Sequence, residues 1–140
     1  MTSQERAFAD FAQFAAKLKG DEKSESIHFL LQLLDAFGHD GLKLPEGSTF
    51  EYRVRFPEKK TKYADFVWPG RVLFEMKSRG EKLSRHYQQT FDYWLNLVPH
   101  RPPYVVLCNF DEFGFTISTF NSTNRWNVSR FPISSPGIPR

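Results

Sequence analysis

The chain has 140 residues, of which 40% are hydrophobic and 16% are aromatic, including fifteen Phe. This composition is typical of one globular domain with a Phe-rich core, and it excludes an intrinsically disordered chain. The single cysteine, Cys108, excludes an internal disulfide and a cysteine-based zinc cluster, and it favours a reducing compartment. No stretch approaches the roughly 18 apolar residues of a membrane span, and the first residues lack a signal-peptide pattern. We therefore expect a cytoplasmic protein without a membrane partner.

The charge balance is mildly basic, with a formal net charge of +3 and a pI of about 9.1. Such a balance permits a polyanionic partner without requiring one. The basic residues that stand out are Lys59, Lys60, Lys62, Lys77, Arg79, Lys82 and Arg85. Contacts with phosphate groups and solvated positions on loops or helices both fit these residues.

Two helices are predicted in the first third of the chain. Residues 5–18 carry apolar side chains at helical spacing until Gly20 interrupts the pattern. Residues 24–37 carry two adjacent apolar stripes, which predict a well-buried helix, and Gly38 follows as a C-cap glycine. Residues 39–48 then have the composition of a loop.

Five strands and a third helix are predicted in the middle of the chain. The strands are expected at residues 50–56, 62–68, 71–77, 104–108 and 113–118. The first strand alternates strictly, so we expect its apolar residues on one face: Phe50, Tyr52, Val54 and Phe56. The helix is expected at residues 83–98, with an apolar side formed by Leu83, Tyr87, Phe91, Trp94, Leu95 and Val98.

The order of these elements indicates the fold class. The third strand, the third helix and the fourth strand form a β-α-β crossover. The fourth strand is an uninterrupted apolar run, which favours a central position with both faces covered. We therefore expect an α/β fold with a mixed β-sheet of about five strands flanked by helices.

A domain boundary is predicted near residue 120. Residues 1–120 are expected to form the folded domain, with residues 1–20 as a leading helix. Residues 121–140 are polar and proline-bearing, which is typical of a tail or linker. In this tail, Trp126 is expected to pack on another domain.

Three charged residues in the predicted sheet form the candidate site. Glu75 and Lys77 lie two residues apart in the third strand, so both side chains point to the same face of the sheet. Asp65 joins them only if the second and third strands pair in one register. With a loop of about three residues between the strands, Trp68 pairs with Val72 and Asp65 lies directly opposite Glu75.

The hydrophobic pattern favours that register. It places only apolar residues on one sheet face, namely Ala64, Phe66, Trp68, Val72, Phe74 and Met76. A two-residue loop would shift the pairing by one residue and mix charged and apolar side chains on both faces. Burial therefore predicts that Asp65, Glu75 and Lys77 meet.

Two neighbouring carboxylates attract a hard divalent cation such as Mg²⁺, because the shared ion relieves their mutual repulsion. Such an ion polarises a phosphodiester and lowers the pKa of a bound water. Lys77 would orient that water or neutralise negative charge in the transition state. The same Glu75 and Lys77 spacing also fits a surface ion pair on a charged hairpin, and the spacing alone leaves both interpretations open.

Around these residues the sequence resembles the PD-(D/E)xK nucleases, which have a restriction-endonuclease-like fold, this order of elements and an Asp, x, Glu-x-Lys centre. More narrowly, residues 63–66 (YADF) and 70–78 (GRVLFEMKS) resemble the amino-terminal domain of MmeI-like (type IIL) single-chain restriction-modification enzymes. The similarity continues into residues 87–94 (YQQTFDYW) and 104–110 (YVVLCNF), and it covers residues 20–120.

The resemblance implies roles for individual residues. It implies that Asp65, Glu75 and the backbone carbonyl of Met76 bind Mg²⁺, with Mn²⁺ as a substitute. It also implies that Lys77 assists the attacking water and that Gln89 supports the site or the phosphate backbone. Related nucleases often add an acid from the helix before the first core strand.

For that additional acid the sequence offers Glu25 or Glu22. Both residues also suit the positive end of the helix dipole, so either has a structural explanation as well.

The resemblance further implies hydrolysis of double-stranded DNA to a 5′-phosphate and a 3′-hydroxyl. In that family the nuclease domain is followed by a connector, an adenine methyltransferase domain and a target-recognition domain. This sequence has no S-adenosylmethionine-binding motif, so we expect the partner to be the remainder of a larger restriction-modification polypeptide or a methyltransferase. Sequence recognition is then expected outside this chain, and a transient dimer would allow double-strand cleavage.

Two other functions remain open from the residues. The first is a catalytically silent nuclease-fold module that serves a DNA methyltransferase as a DNA-binding or docking domain. The second is a nuclease that acts on RNA. Substitutions at Asp65 or Lys77 separate the first alternative from a DNA endonuclease.

Overall fold

The computed structural model describes residues 2–38, 46–99, 101–117 and 126–130. Its helices are α1 (Ser3–Lys17), α2 (Glu22–Ala36) and α3 (Tyr87–Leu95), and a 3₁₀ turn (Leu83–His86) leads directly into α3. Its strands are β1 (Thr49–Arg55), β2 (Thr61–Trp68), β3 (Val72–Met76), β4 (Tyr104–Cys108), β5 (Glu112–Ile117) and β6 (Asn127–Arg130). They form one sheet in the order β1-β2-β3-β4-β5-β6. This confirms the predicted mixed α/β fold, with six strands in the described residues instead of about five.

The two N-terminal helices begin at capping residues. Thr2 accepts a hydrogen bond from the backbone N–H of Glu5 at the start of α1, and Asp21 accepts one from Lys23 at the start of α2. Gly38 follows α2 with a φ of +93°, a conformation that glycine adopts without steric cost. Of the predicted loop 39–48, residues 39–45 lie outside the described residues.

The sheet has a packed layer on each face. Helices α1 and α2 cover one face, and the buried residues of this first core include Phe11, Phe29, Leu30, Phe66, Phe74, Met76, Cys108 and Phe110. Helix α3 covers the opposite face, and the second core consists of Val54, Ala64, Val67, Leu73, Tyr93, Trp94, Leu97 and Val105. Because both faces are covered, β3 and β4 lie in the interior of the domain.

The predicted faces of β1 and β2 are wrong at one end of the hairpin. Phe50 packs in the first core against Phe66, with ring centroids 5.1 Å apart, whereas Tyr52, Val54 and Phe56 pack in the second core. Glu51, between them, has a φ of +51°, which reverses the side to which the following residues point.

Ala64 pairs with Tyr52 and also packs in the second core. The prediction that Ala64 belongs to the all-apolar face of β2 and β3 is therefore wrong. The other five residues of that predicted face pack in the first core.

The crossover from β3 through α3 to β4 is confirmed, since β3 and β4 pair in parallel. The helix is shorter than predicted because it starts with a 3₁₀ turn and ends at Leu95. As a result Leu95 and Val98 are exposed, at 42% and 65%. Leu97 is buried instead.

The chain returns to the sheet after β5. Residues 127–130, which the sequence assigned to a tail, form β6 and pair antiparallel with β5. Trp126 stacks on Tyr87, with ring centroids 4.4 Å apart and planes at 2°. Its aromatic partner therefore belongs to this domain, which corrects the prediction that it packs on another one. Among the described residues, no helix is long and apolar enough to span a membrane.

Arg79 links the segment after β3 to the connection between α1 and α2 through hydrogen bonds. Its guanidinium forms an ion pair with Asp111 at 3.0 Å and donates hydrogen bonds to the carbonyl oxygens of Leu18 and Ala15 near the end of α1. Its backbone N–H donates to the carbonyl of Gly20 at 2.8 Å. A Cβ on Gly20, where φ is +86°, would lie 2.2 Å from the Cβ of Arg79.

We therefore expect Gly20→Ala to lower the free energy of unfolding by about 2–4 kcal/mol, because a left-handed residue and an overpacked contact both add cost. Gly70→Ala is the matched control, since Gly70 has a φ of +78° and open space around its Cβ position. We expect the control to cost about 1–2 kcal/mol. Urea denaturation of both variants measures the difference, and equal destabilisation would contradict the packing argument.

Candidate active site

The register between β2 and β3 agrees with the prediction. Trp68 pairs with Val72, Val67 with Leu73, and Phe66 with Phe74. Residues 69–71 make the connecting loop, which is closed by a 2.9 Å hydrogen bond from the backbone N–H of Arg71 to the carbonyl of Trp68. Continuation of this register places Asp65 opposite Glu75.

Beyond the Phe66 and Phe74 pair, carboxylates replace the regular backbone ladder. The backbone N–H of Asp65 donates to Oε1 of Glu75 at 2.8 Å, and the backbone N–H of Met76 donates to Oδ2 of Asp65 at 2.6 Å. Each acid therefore bonds to the strand that carries the other. In the part of the chain that the structure describes, Oδ1 of Asp65 and Oε2 of Glu75 accept no hydrogen bond.

The two acids lie in an environment that disfavours two negative charges. Glu75 is 4% exposed, and burial followed by the charge of Asp65 raises its pKa well above the ordinary value. Burial also raises the pKa of Asp65, with a further contribution from the charge of Glu22. Lys77 opposes both pKa shifts because its positive charge stabilises the two carboxylates.

Lys77 and Gln89 meet beside this pair. The backbone N–H of Lys77 donates to the carbonyl of Cys108 at 2.7 Å, so the segment after β3 stays attached to β4. Its Nζ donates to Oε1 of Gln89 at 3.1 Å. Gln89 belongs to α3, so the crossover helix supplies the partner that holds the lysine. All four residues that the sequence assigned to catalysis therefore lie at one end of β3.

The acid that α2 brings to this region is Glu22. The carboxylate of Glu25 accepts hydrogen bonds from the backbone N–H groups of Lys19, Gly20 and Asp21 at 2.8–3.1 Å, which lower its pKa. Its carboxylate thus caps the connection before α2, which is the structural explanation that the sequence also offered for this residue.

Glu22, the alternative acid, lines a cavity of about 340 Å³ together with Asp65 and Glu51. Its backbone N–H lies 3.4 Å from Oγ of Ser78, two residues after the end of β3.

The sequence prediction missed Tyr93. This residue is 8% exposed and lies one helical turn after Gln89 on α3, facing the second core. Burial and the negative charges of Glu75 and Asp65 raise the pKa of its hydroxyl to about 12. The spacing of four residues between Gln89 and Tyr93 was the available signal, because such residues share one side of a helix.

A family model described as MmeI, N-terminal domain, matches residues 4–132. The chain belongs to this family. No curated protein and no solved structure matches it significantly. The membership associates the chain with restriction-modification, and the match extends through β6.

In this MmeI N-terminal domain the donor set suits a hard cation. Among the described residues, no group of three or more His, Cys, Asp and Glu side chains is arranged to hold a metal. The pair of Asp65 and Glu75 instead offers two carboxylates, each with one oxygen free of hydrogen bonds in the described part of the chain. Because burial penalises their negative charge, a divalent cation would stabilise both acids in the ionised form.

Proposed function

We propose that this chain is the metal-dependent DNA endonuclease domain of a restriction-modification enzyme, with a PD-(D/E)xK centre. The observation that supports it most is the reciprocal hydrogen bonding of Asp65 and Glu75 beside the Lys77 and Gln89 pair. A surface ion pair does not account for this arrangement, since Glu75 is buried and the partner of Lys77 Nζ is an amide oxygen.

In this proposal Asp65, Glu75 and the backbone carbonyl of Met76 hold Mg²⁺, or Mn²⁺ in its place, and Glu22 supplies the additional acid. When bound, the ion polarises the phosphodiester and lowers the pKa of a water molecule. The raised pKa values of the two acids are consistent with a site that is stable in its ionised form only when a cation shares the charge.

The remaining residues act on the substrate and the attacking water. Lys77 offsets negative charge that builds on the phosphate oxygens and orients the water. Gln89 fixes the position of the lysine Nζ through their 3.1 Å hydrogen bond. Tyr93 packs in the second core, and its hydroxyl lies close enough to Glu75 and Asp65 for their charges to raise its pKa.

The proposed reaction is hydrolysis of DNA. The water oxygen bonds to phosphorus, the bond from phosphorus to the 3′ oxygen breaks, and that oxygen receives a proton. The products are a 5′-phosphate and a 3′-hydroxyl. The remainder of a larger polypeptide, with an adenine methyltransferase and a recognition domain, supplies the target sequence, and a transient dimer cuts the second strand.

Cleavage of duplex DNA by the natural polypeptide that carries this chain tests the proposal. We expect cleavage with Mg²⁺ or Mn²⁺, none in EDTA, and none for Asp65→Asn. A crystal of the chain soaked in Mn²⁺ should show the ion between Asp65 and Glu75. Equal cleavage by the wild type and Asp65→Asn would instead favour a silent DNA-binding or docking module.

We expect Gln89→Leu to lower kcat for cleavage about tenfold with little change in KM, because Lys77 loses the acceptor that positions its Nζ. Gln88→Leu is the matched control, since the Gln88 amide bonds to Asp92 on the exposed side of α3. Mn²⁺ affinity should be unchanged in both variants. If Gln89→Leu is destabilised so much that the unfolded fraction accounts for the lost activity, the role of Gln89 is structural only.

A further inference from the structure

The hairpin formed by β1 and β2 concentrates positive charge next to the candidate site. Its residues 52–63 contain five cations and one acid, in the sequence YRVRFPEKKTKY. The cations are Arg53, Arg55, Lys59, Lys60 and Lys62, and all five are exposed. We call residues 52–63 the basic hairpin. Its excess of positive charge is larger than the net charge of +3 carried by the whole chain.

Most of this charge is not neutralised within the domain. Lys60 lies 3.9 Å from Glu58, the single acid, and both side chains are largely exposed. Lys62 lies over the ring of Phe56, 5.1 Å from its centroid. In the described part of the chain, Arg53, Arg55 and Lys59 form no hydrogen bond or ion pair through their side chains. At these three residues, a partner with negative charge would therefore not have to displace an acid of the domain.

The tip of the basic hairpin holds a defined conformation. Glu58 and Lys59 both have positive φ, at 65° and 59°, which is the backbone of a type I′ turn. The backbone N–H of Lys60 donates to the carbonyl of Pro57 at 3.5 Å and closes the turn, and the backbone N–H of Phe56 donates to the carbonyl of Lys60 at 2.8 Å beside it. The turn thus presents charged side chains at positions where glycine or asparagine is usual.

Two of the five cations lie near the proposed metal ligands. Arg53 pairs with Tyr63, and Tyr63 lies two residues, or about 7 Å along the strand, from Asp65. Lys62 precedes Asp65 by three residues, about 10 Å.

On the α2 side of the site, Glu22 and Glu51 line one cavity with Asp65. Arg53 and Arg55 border a second cavity, of about 420 Å³, and the described residues that line it include no acid.

We propose that the basic hairpin is the surface on which duplex DNA rests, with its cations against the phosphates that flank the bond at Asp65. This rests on the proposed function, because the position of the hairpin is argued relative to that site. A double helix has a phosphate charge about every 1.7 Å along its axis, so a duplex cut at Asp65 presents several phosphates within the length of the hairpin. Apart from Tyr63, 58% exposed, and Pro57 at the tip, the exposed residues of the hairpin are polar, which favours a nucleic acid over a membrane.

Salt-dependent binding of the 140-residue chain to a labelled duplex of about two helical turns tests this surface. EDTA is present, so the measurement is independent of cleavage. We expect Arg53→Ala/Arg55→Ala, and separately Lys59→Ala/Lys62→Ala, to weaken binding about tenfold or more. The slope of log affinity against log salt should fall by about two in each double variant, since each lost phosphate contact releases about one fewer counterion.

Arg6→Ala/Lys17→Ala is the matched control, because it removes two exposed cations from α1. The control should keep the wild-type slope. Equal slopes for the wild type and both hairpin variants overturn the proposal, as does an equal loss in the control or no binding by the wild type at low salt. Tighter binding to duplex RNA, or an equally hairpin-dependent binding to phosphatidylserine vesicles, overturns the assignment to DNA.

Two separate hairpin variants are used in case one of them fails to fold. The salt slope of the variant that does fold then tests the proposal. Thermal unfolding identifies such a variant. If the slopes change as expected while Asp65→Asn cleaves DNA normally, the proposed catalytic centre is wrong and the binding surface stands.

Discussion

We expect Lys77→Met to lower DNA cleavage by a factor of about 10³ in the natural polypeptide while Mn²⁺ still binds. Lys77 is the cation that stabilises both carboxylates, and its Nζ is held at 3.1 Å from Gln89. Its loss removes a preorganised positive charge from the place where the phosphate develops negative charge. Metal affinity should stay equal or increase, because the divalent ion no longer shares the site with a lysine ammonium.

Lys82→Met is the control for this prediction. Lys82 is exposed, lies five residues further along and makes no side-chain hydrogen bond within the described residues. It should retain cleavage near the wild-type rate. Titration calorimetry with Mn²⁺ and a plasmid-cleavage assay measure the two properties separately. If Lys77→Met loses metal binding together with cleavage, the lysine supports the structure of the site and not the chemical step.

We expect Glu75→Gln to stabilise the metal-free chain at about pH 7, by about 1–3 kcal/mol, while it abolishes metal binding and cleavage. Glu75 is 4% exposed, and burial together with the charge of Asp65 raises its pKa well above the ordinary value of 4.5. Glutamine keeps the shape and an acceptor for the backbone N–H of Asp65, but it carries no charge.

The pH dependence follows from the direction of the pKa shift. Because the folded chain holds the Glu75 proton at a pH where the unfolded chain has lost it, this group contributes most stability below the ordinary pKa of 4.5. That contribution is lost as pH rises towards the raised folded-state pKa. The advantage of Glu75→Gln should therefore grow as pH rises from about 4 to about 7.

Denaturation of the chain in EDTA across this pH range measures the effect. Glu46→Gln, at an exposed position, is the control and should show no pH-dependent difference from the wild type. Added Mg²⁺ should stabilise the wild type by binding only the folded chain, and it should leave Glu75→Gln unchanged. If the wild type in EDTA instead gains stability relative to Glu75→Gln as pH rises towards neutral, the electrostatic description of the site is contradicted.

Local pattern determined the register of β2 and β3. The apolar residues Phe66, Trp68, Val72 and Phe74 belong on one face, and the three-residue loop between the strands leaves a single pairing that buries all of them. A one-residue slip moves every side chain to the other face, so burial selects the register strongly. This is why the meeting of Asp65 with Glu75 was predictable from the sequence.

Other features depended on contacts between distant segments. The choice of Glu22 over Glu25 depends on how α2 enters the domain, which Arg79 and Ser78 fix from beyond β3. The positive φ of Glu51 changes the sheet face to which the following side chains of β1 point. The apolar residues of β1 nevertheless alternate without interruption in the sequence, so the change is not visible there.

Strand β6 shows the same limit, since its burial pattern is fully exposed and only its pairing with β5 makes it a strand. Periodicity therefore cannot reveal it. The sequence by itself determined the order of the three helices and of β1 to β5, the pairing of β2 with β3 and the meeting of Asp65 with Glu75, because short-range alternation and loop length specify them. Gln89 was predicted only through the family resemblance. The tertiary structure decided which acid of α2 approaches Asp65, where the hairpin changes face and where the sheet ends, because long-range hydrogen bonds and packing set these.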